Sequence, residues 1–536
     1  MTPRTFRLTD DAFAALGAGR PDATTLGTLR RAQLSRHLLL LREVRRGLPQ
    51  NPAWYARLTA ADPAEARRLI ADPMTGLWAA HALRSGAAGA DGPRPGGHPM
   101  RFTCADLTLT VRVDDADPVR RRLGLDPVDA LSPDELEHWQ HCLDEAWQIL
   151  ARRHRAAAET MSTVLRVIVP VRPDPAAEGI SATSAEAFGA VAISAPADAT
   201  ALAVGLLHET QHSVLNAVHQ LFDLVEPGGD RGYSPWRDDP RPPFGILHGA
   251  YAYLAVTRFW RAEMQSPPPK INEPGMGVGA ESGAGADSRA GADSRAGADS
   301  RAGADSRAGA GSRADAESRA DAGSTAGAAR VAAFEFARWR AAVLAAAEGL
   351  SGGGRLTAAG RRFVAALARE VRPWLDEAVD PEIARLAGLA VADHRVRWRL
   401  RNLAVTPGDA AALASAWRDG RRPPEVRPVA APAPGRELVN SPRVRLAHAL
   451  VKGDPVLKPG GRVAAADLAC LRGEAGTAAD AYQKCLEFDL ADDQAWSGLA
   501  LVSPRPALRL RPEVVKAAAC AAPEAAVDAL ADWLSG

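Results

Sequence analysis

Between about residues 265 and 330 the sequence gives up bulky apolar side chains for Ala, Gly, Ser, Asp and Arg, and the hexapeptide Ala-Gly-Ala-Asp-Ser-Arg recurs in register at Asp287, Asp293, Asp299 and Asp305. Such a stretch buries too little to offset the entropy of ordering it, so it is expected to be a disordered low-complexity linker. A six-residue period without a recurring Val, Ile or Leu leaves nothing to stack, which argues against a solenoid. Any core must therefore come from the chain on either side. A second break falls at 423–441, where Arg-Pro-Pro, Ala-Pro-Ala-Pro and Asn-Ser-Pro deny the backbone helical continuity. The expected organisation is a mixed region at 1–264, the linker at 265–330, a helical region at 331–422 that completes or flanks the first, and a C-terminal helical region at 441–536.

Charge and composition narrow the function classes. With 65 Lys+Arg against 64 Asp+Glu over 536 residues, bulk electrostatics give no reason to expect nucleic-acid or anionic-membrane binding. Aromatic content is only 5%, so Ala, Leu and Val must fill most of the interior. The five cysteines include no C-x-x-C pair, which points to a reducing compartment and away from a Cys-rich zinc module. No apolar run approaches the roughly 20 residues of a membrane helix, and the start lacks the apolar centre of a secretory signal, so the expected location is cytoplasmic.

The pattern predicts an α+β fold that is predominantly helical. At 25–46 Leu26, Leu29, Leu34, Leu38 and Leu41 fall near one helical face. Residues 102–113 alternate as Leu107, Leu109, Val111 and Val113, and 164–171 and 190–194 read as buried strands. Ser132-Pro133-Asp134-Glu135 announces a helix over 132–158, and a long helix is expected over 198–224. On the first of these, His138, His141 and Cys142 have ligand-like spacing, but Trp139, Leu143 and Trp147 mark a packed amphipathic helix. Arg397-Trp398-Arg399-Leu400-Arg401 is expected to be a solvated helix face rather than a nucleic-acid patch. In the C-terminal region Gly473, Ala481, Tyr482, Leu486 and Trp496 fall where a tetratricopeptide-like helix pair would place small and large residues. One such unit is readable where about three are needed for an independent array.

The residues that carry chemistry are His208-Glu209-Thr210-Gln211-His212, flanked by Leu202 to Leu207 and by Val214 and Leu215. Histidines four apart on a helix leave one face a turn apart and can present two imidazole nitrogens to one ion. Neutral imidazoles without partners would be poorly satisfied between flanks this apolar. His219 lies about 10 Å further along the axis and is excluded from the same ion. Leu215 and Val218 stand where a metzincin needs Gly and His. For a third ligand, Glu226 and Glu263 are the gluzincin-like options. His248, on a helix expected over 245–263 that turns back after a loop of some twenty residues, is the better placed; Gly249, Ala252 and Ala255 would let that helix approach closely.

The run from His208 to His212, then Tyr233-Ser234-Pro235-Trp236-Arg237-Asp238-Asp239-Pro240-Arg241-Pro242, then Leu247-His248-Gly249-Ala250-Tyr251 and Arg258-Phe259-Trp260, resembles the HExxH-motif domain of bacterial ribosomal-peptide gene clusters. The likeness covers roughly 1–265 and, more loosely, the helices after the linker. It implies an iron(II)- and 2-oxoglutarate-dependent peptide β-hydroxylase, with His208, His212 and His248 as iron ligands. Such an enzyme converts the keto acid to succinate and carbon dioxide while a β-carbon of a ribosomal precursor peptide is hydroxylated. The far carboxylate of 2-oxoglutarate wants a guanidinium, for which Arg237 and Arg241 are candidates, whereas Arg258 lies about 15 Å past His248 along its helix. Glu209 would then orient a ligand or bind in the shell behind the iron's ligands instead of acting as a base. The C-terminal helices would hold the peptide or a partner modification enzyme. Two other readings stand beside this one: a zinc-dependent metallopeptidase with Glu209 as general base, and a non-catalytic helical interaction protein.

Overall fold

The apolar runs read as strands become neighbours in the middle of a five-stranded sheet in the computed structural model, which describes residues 6–48, 52–85, 92–175, 179–265, 310–431, 441–454 and 461–536. The strands are β1 (His98–Cys104), β2 (Leu107–Val113), β3 (Val167–Val171), β4 (Ser181–Ala182) and β5 (Ala190–Ser194), in the order β1-β2-β3-β5-β4. β3 pairs in parallel with β2 and β5, and both outer pairings are antiparallel. Every residue of β3 and β5 is buried, as central strands covered on both faces must be. Trp139, Leu143 and Trp147 of helix Pro133–Arg153 pack on one face together with Leu202 and Leu206; Met74, Leu77 and Leu123 cover the other.

Three local expectations are corrected. The alternation at 102–113 is a hairpin, not one strand: Cys104 pairs with Leu107 across a turn in which Ala105 takes φ 51°, and a two-residue turn preserves the alternation on both sides of it. The helix from Ser132 stops at Arg153, and a second helix, Arg155–Val164, starts after His154. Helix Ala23–Arg46 buries Leu26, Leu29 and Leu41 but leaves Leu38 49% exposed, because the inward stripe steps through Gln33 and His37. Each of those polar residues has one bond inside: Gln33 donates to Gln220 at 2.8 Å, and His37 Nδ1 lies 2.8 Å from the carbonyl of Ile70, while Gln33 Oε1 and His37 Nε2 are buried without a partner.

The Ala-Gly-Ala-Asp-Ser-Arg repeats lie outside the described residues. From Ala310 the backbone is already helical, in a helix that runs to Gly352, so the expected linker does not reach 330; the recurring Ala, with Arg and Glu, favours helix. From Phe334 onward this long helix shares a core with the first region. Phe336, Val343 and Ala347 pack with Phe13, Leu16, Leu247, Tyr251 and Phe363.

The C-terminal helices are locked on by a buried ion network. Arg443, 2% exposed, sits on helix Pro442–Lys452 and bonds Asp393, Asp467, Ser497 and the carbonyl of Gln494, which belong to three other helices. Tyr482 donates to Asp467 at 2.6 Å. Among the described residues no helix is long and apolar enough to cross a membrane. Arg443→Met would leave two aspartates buried without a counter-charge, so it is expected to destabilise the chain by about 3–5 kcal/mol in urea unfolding.

Candidate metal centre

The helix that carries the motif, Ala199–His219, starts where β5 ends. Asp198 caps it by accepting from the N–H of Ala201 at 2.8 Å. Leu202, Leu206, Val214, Leu215 and Val218 fix its rotation by burying on the two flanking cores, which turns His208 and His212 into a cavity. Their rings meet edge-on, with centroids 4.5 Å apart and planes at 85°. Donor atoms of His208, Glu209 and His212 all lie within 4.8 Å of one another, the one such cluster among the described residues.

Glu209 is 2% exposed, and both of its oxygens are engaged. Ser181, on the edge strand β4, donates to Oε1 at 2.6 Å, and Thr183, just beyond, donates to Oε2. Burial pushes its carboxyl up, partly countered by these two hydroxyls. The sheet edge thus orients the motif glutamate directly.

His248 stands on the returning helix, Pro243–Gln265, and reaches the same spot. Its ring lies face to face with that of His212, centroids 3.8 Å apart and planes 4° from parallel. An imidazole binds a cation in its own ring plane. Edge-on rings such as His208 and His212 can share an in-plane point, whereas face-to-face rings cannot. The structure therefore gathers three imidazoles but aligns two of them, and His248 must rotate about its side-chain torsions to join His208 and His212 on one ion.

The other candidates go elsewhere. His219 stacks on Phe244 at 4.2 Å and accepts from the N–H of Leu224. Glu263 pairs with His154 at 2.6 Å and Arg153 at 2.8 Å, and Glu226 is in an exposed turn. Arg237 and Arg241 lie on β7 (Arg237–Arg241), which pairs with β6 (Gly232–Ser234), and both line the cavity. Each has Nε 3.1 Å from Asp239, which stands between them. Gly249 does not serve an approach to the motif helix. It makes room for the indole of Trp236, into which any Cβ at this position would run, and Trp236 in turn stacks on Tyr253 at 5.1 Å.

The donors are electrically suited to a cation. Burial lowers His208 to about 4 and, with the charges of nearby His208 and Arg241 adding to it, lowers His248 to about 3. His212 is lowered too, by burial first and then by its two imidazole neighbours. All three rings are neutral at pH 7 and keep part of their surface open to the cavity. His212 Nδ1 is buried without a hydrogen-bond partner. A cation would meet free lone pairs with no proton to displace.

The cavity measures about 1390 Å³ and extends well past the imidazoles. Its far wall comes from chain that sequence reasoning left out of the site: Glu335, Arg338 and Trp339 of the long helix, His394 and Arg397 of helix Pro381–Asn402, and His448 of helix Pro442–Lys452. The Arg397-Trp398-Arg399 run is not the solvated face expected. Trp398 is buried, Arg399 pairs with Glu513, and Arg397 faces the cavity. No family model matches this chain, and no curated protein matches it.

The suppressed protonation predicts a pH dependence. The unfolded chain takes up protons on its histidines near 6.5, the folded chain only near 4 or below, so falling pH favours unfolding. Metal-free protein is expected to lose stability steadily from about pH 6.5 to about pH 4, and a His208→Gln, His248→Gln double variant to show a shallower loss, both measured as urea midpoints across pH.

Proposed function

We propose that the chain is an iron(II)- and 2-oxoglutarate-dependent dioxygenase that hydroxylates a β-carbon of a ribosomally made peptide, acting in the cytoplasm. The observation that carries this reading is the gathering of three neutral imidazoles on one side of a large cavity that also holds Arg237 and Arg241. His208 and His212 would hold the ion, with His248 as the third ligand after its ring turns off His212. Held by these three imidazoles, the ion would face the open cavity, which has room for the keto acid. Bound there with its keto acid, the ion supplies the oxidising power for hydroxylation.

The rest is the work of this chain's own side chains. Arg237 and Arg241 offer guanidinium groups to the far carboxylate of the keto acid, with Asp239 holding both in place until it arrives. Ser181 and Thr183 keep Glu209 beside the two motif histidines, with a carboxylate oxygen within 4.8 Å of their donor atoms. Trp236, Tyr253 and Trp339 stack into an aromatic wall that screens the imidazoles from water. Helices Arg462–Leu471, Ala475–Phe488 and Asp493–Val502 form the tetratricopeptide-like element that would hold the peptide or a partner enzyme.

A second reading, a zinc-dependent hydrolase, is favoured by one observation: the cluster of close donors includes Glu209 and leaves out His248. Burial raises the Glu209 carboxyl in the direction useful to a general base. The two readings separate cleanly. Protein loaded with iron(II) without oxygen is expected to develop a visible charge-transfer band on addition of 2-oxoglutarate and to release succinate slowly once oxygen is admitted. His208→Ala with His212→Ala abolishes both, while Glu209→Gln keeps the band. Peptide cleavage by zinc-loaded protein that disappears in Glu209→Gln would establish the hydrolase instead.

A further inference from the structure

The far wall of the cavity carries more positive charge than its own acids use. Of the acidic side chains there, Asp393 is bonded to Arg443 and Ser441, Glu335 to His448 at 2.8 Å, and Asp238 lies 3.6 Å from His394. Asp198, at the opposite end, is the cap of the motif helix.

Of the arginines on this wall, Arg445 has interactions of its own, and two more remain. Arg338 is 7% exposed, and its nearest carboxylate is Glu335 at 4.0 Å, the oxygen of which is already bonded to His448. Its guanidinium lies flat enough on Trp339 to sit 4.3 Å from the ring centre. A guanidinium buried this far, against an aromatic face and with only a 4.0 Å ion pair to a glutamate that it shares with His448, is held ready for an anion that arrives from outside. Arg397, half-buried on the neighbouring helix, makes no hydrogen bond or ion pair among the described residues. Both charges bear on one ring, His394, which burial first and then Arg338 and Arg397 lower to about 3. Arg338 and Arg397 stand on two helices that pack against each other, and both line this part of the cavity wall.

That part is tied to the imidazoles by contacts between rings. His208 meets Tyr253 at 5.2 Å, Tyr253 meets Trp339 at 4.3 Å, and Arg338 lies over Trp339. An extended peptide advances about 3.3–3.6 Å per residue, so about four residues suffice to bridge the two stations.

We propose that Arg338 and Arg397 form a substrate anion site: they bind a carboxylate side chain of the peptide within about four residues of the one presented to the imidazoles, so that the cavity selects acidic peptides. This rests on the peptide-hydroxylase reading for what the imidazoles do, but not for the binding itself. The site is distinct from Arg237 and Arg241, which share Asp239 on the hairpin and are assigned to the keto acid.

Binding to metal-free, full-length protein tests it without turnover. Fluorescein-labelled hexaglutamate, followed by anisotropy, is expected to bind saturably and more weakly as salt rises, whereas labelled hexalysine does not bind. Arg338→Gln and, separately, Arg397→Gln should each weaken hexaglutamate about tenfold or more. Arg397 is only half-buried, so its variant remains informative even if Arg338→Gln fails to fold. Millimolar 2-oxoglutarate should not displace the peptide. The proposal is overturned by an absence of hexaglutamate binding, by unchanged binding in the Arg397 variant, by full displacement with 2-oxoglutarate, or by a labelled hexanucleotide binding in its place. Binding without succinate formation would sink the hydroxylase reading and keep the anion site. Succinate formation without hexaglutamate binding would do the reverse.

Discussion

The site depends on a helix that is apolar on almost every side and yet carries His208, Glu209 and His212 into the interior. Neutral imidazoles and a carboxyl so placed are tolerated only where each finds a polar neighbour or an ion. The fold provides the neighbours on two sides. The edge strand supplies Ser181 and Thr183 to the glutamate, and the returning helix supplies His248 to the ring of His212. What it does not provide is a partner for His212 Nδ1, which lies buried and unbonded. The physical argument for a cation is the gathering of three buried imidazoles that resist protonation around one cavity.

Several distant segments must dock for the cavity to exist. The motif helix takes its place from the sheet, the hairpin β6–β7 rests on Gly249 through Trp236, and the long helix after the repeats shares its core with residues of the first region. The Arg443 network then fixes helix Pro442–Lys452, and with it His448, against Asp393 and the helix of His394 and Arg397. The breaks in composition near 265 and 423 interrupt the sequence without interrupting this packing.

How much of this the sequence disclosed follows from how local each signal is. Periodicity within one element placed the motif helix, the strand at 190–194, the strand at 167–171 though not its start, which was expected at 164 where a helix still runs, and the two histidines on one face, because helix and strand repeats are properties of neighbouring residues. The hairpin at Ala105 was hidden because a two-residue turn leaves the alternation unbroken, and the buried stripe of helix Ala23–Arg46 was misread because Gln33 and His37 occupy core positions while Leu38 does not. The hydroxyls that hold Glu209 come from a two-residue strand with no pattern of its own. Arg338 and Arg397 look, in sequence, like any arginine on a charged helix face; only tertiary packing turns them inward. His248 could be placed on the right helix from its surroundings, but nothing in sequence specifies a ring torsion, and the face-to-face contact with His212 is a matter of torsion.

The most direct test is a crystal structure of the iron-loaded chain, grown without oxygen and with 2-oxoglutarate present. The account requires a single ion bound by one nitrogen each of His208, His212 and His248, with the ring of His248 turned out of its parallel contact with His212. An ion bound by the two motif histidines while residue 248 stays stacked, its shell closed to a tetrahedron by a carboxylate, would contradict it.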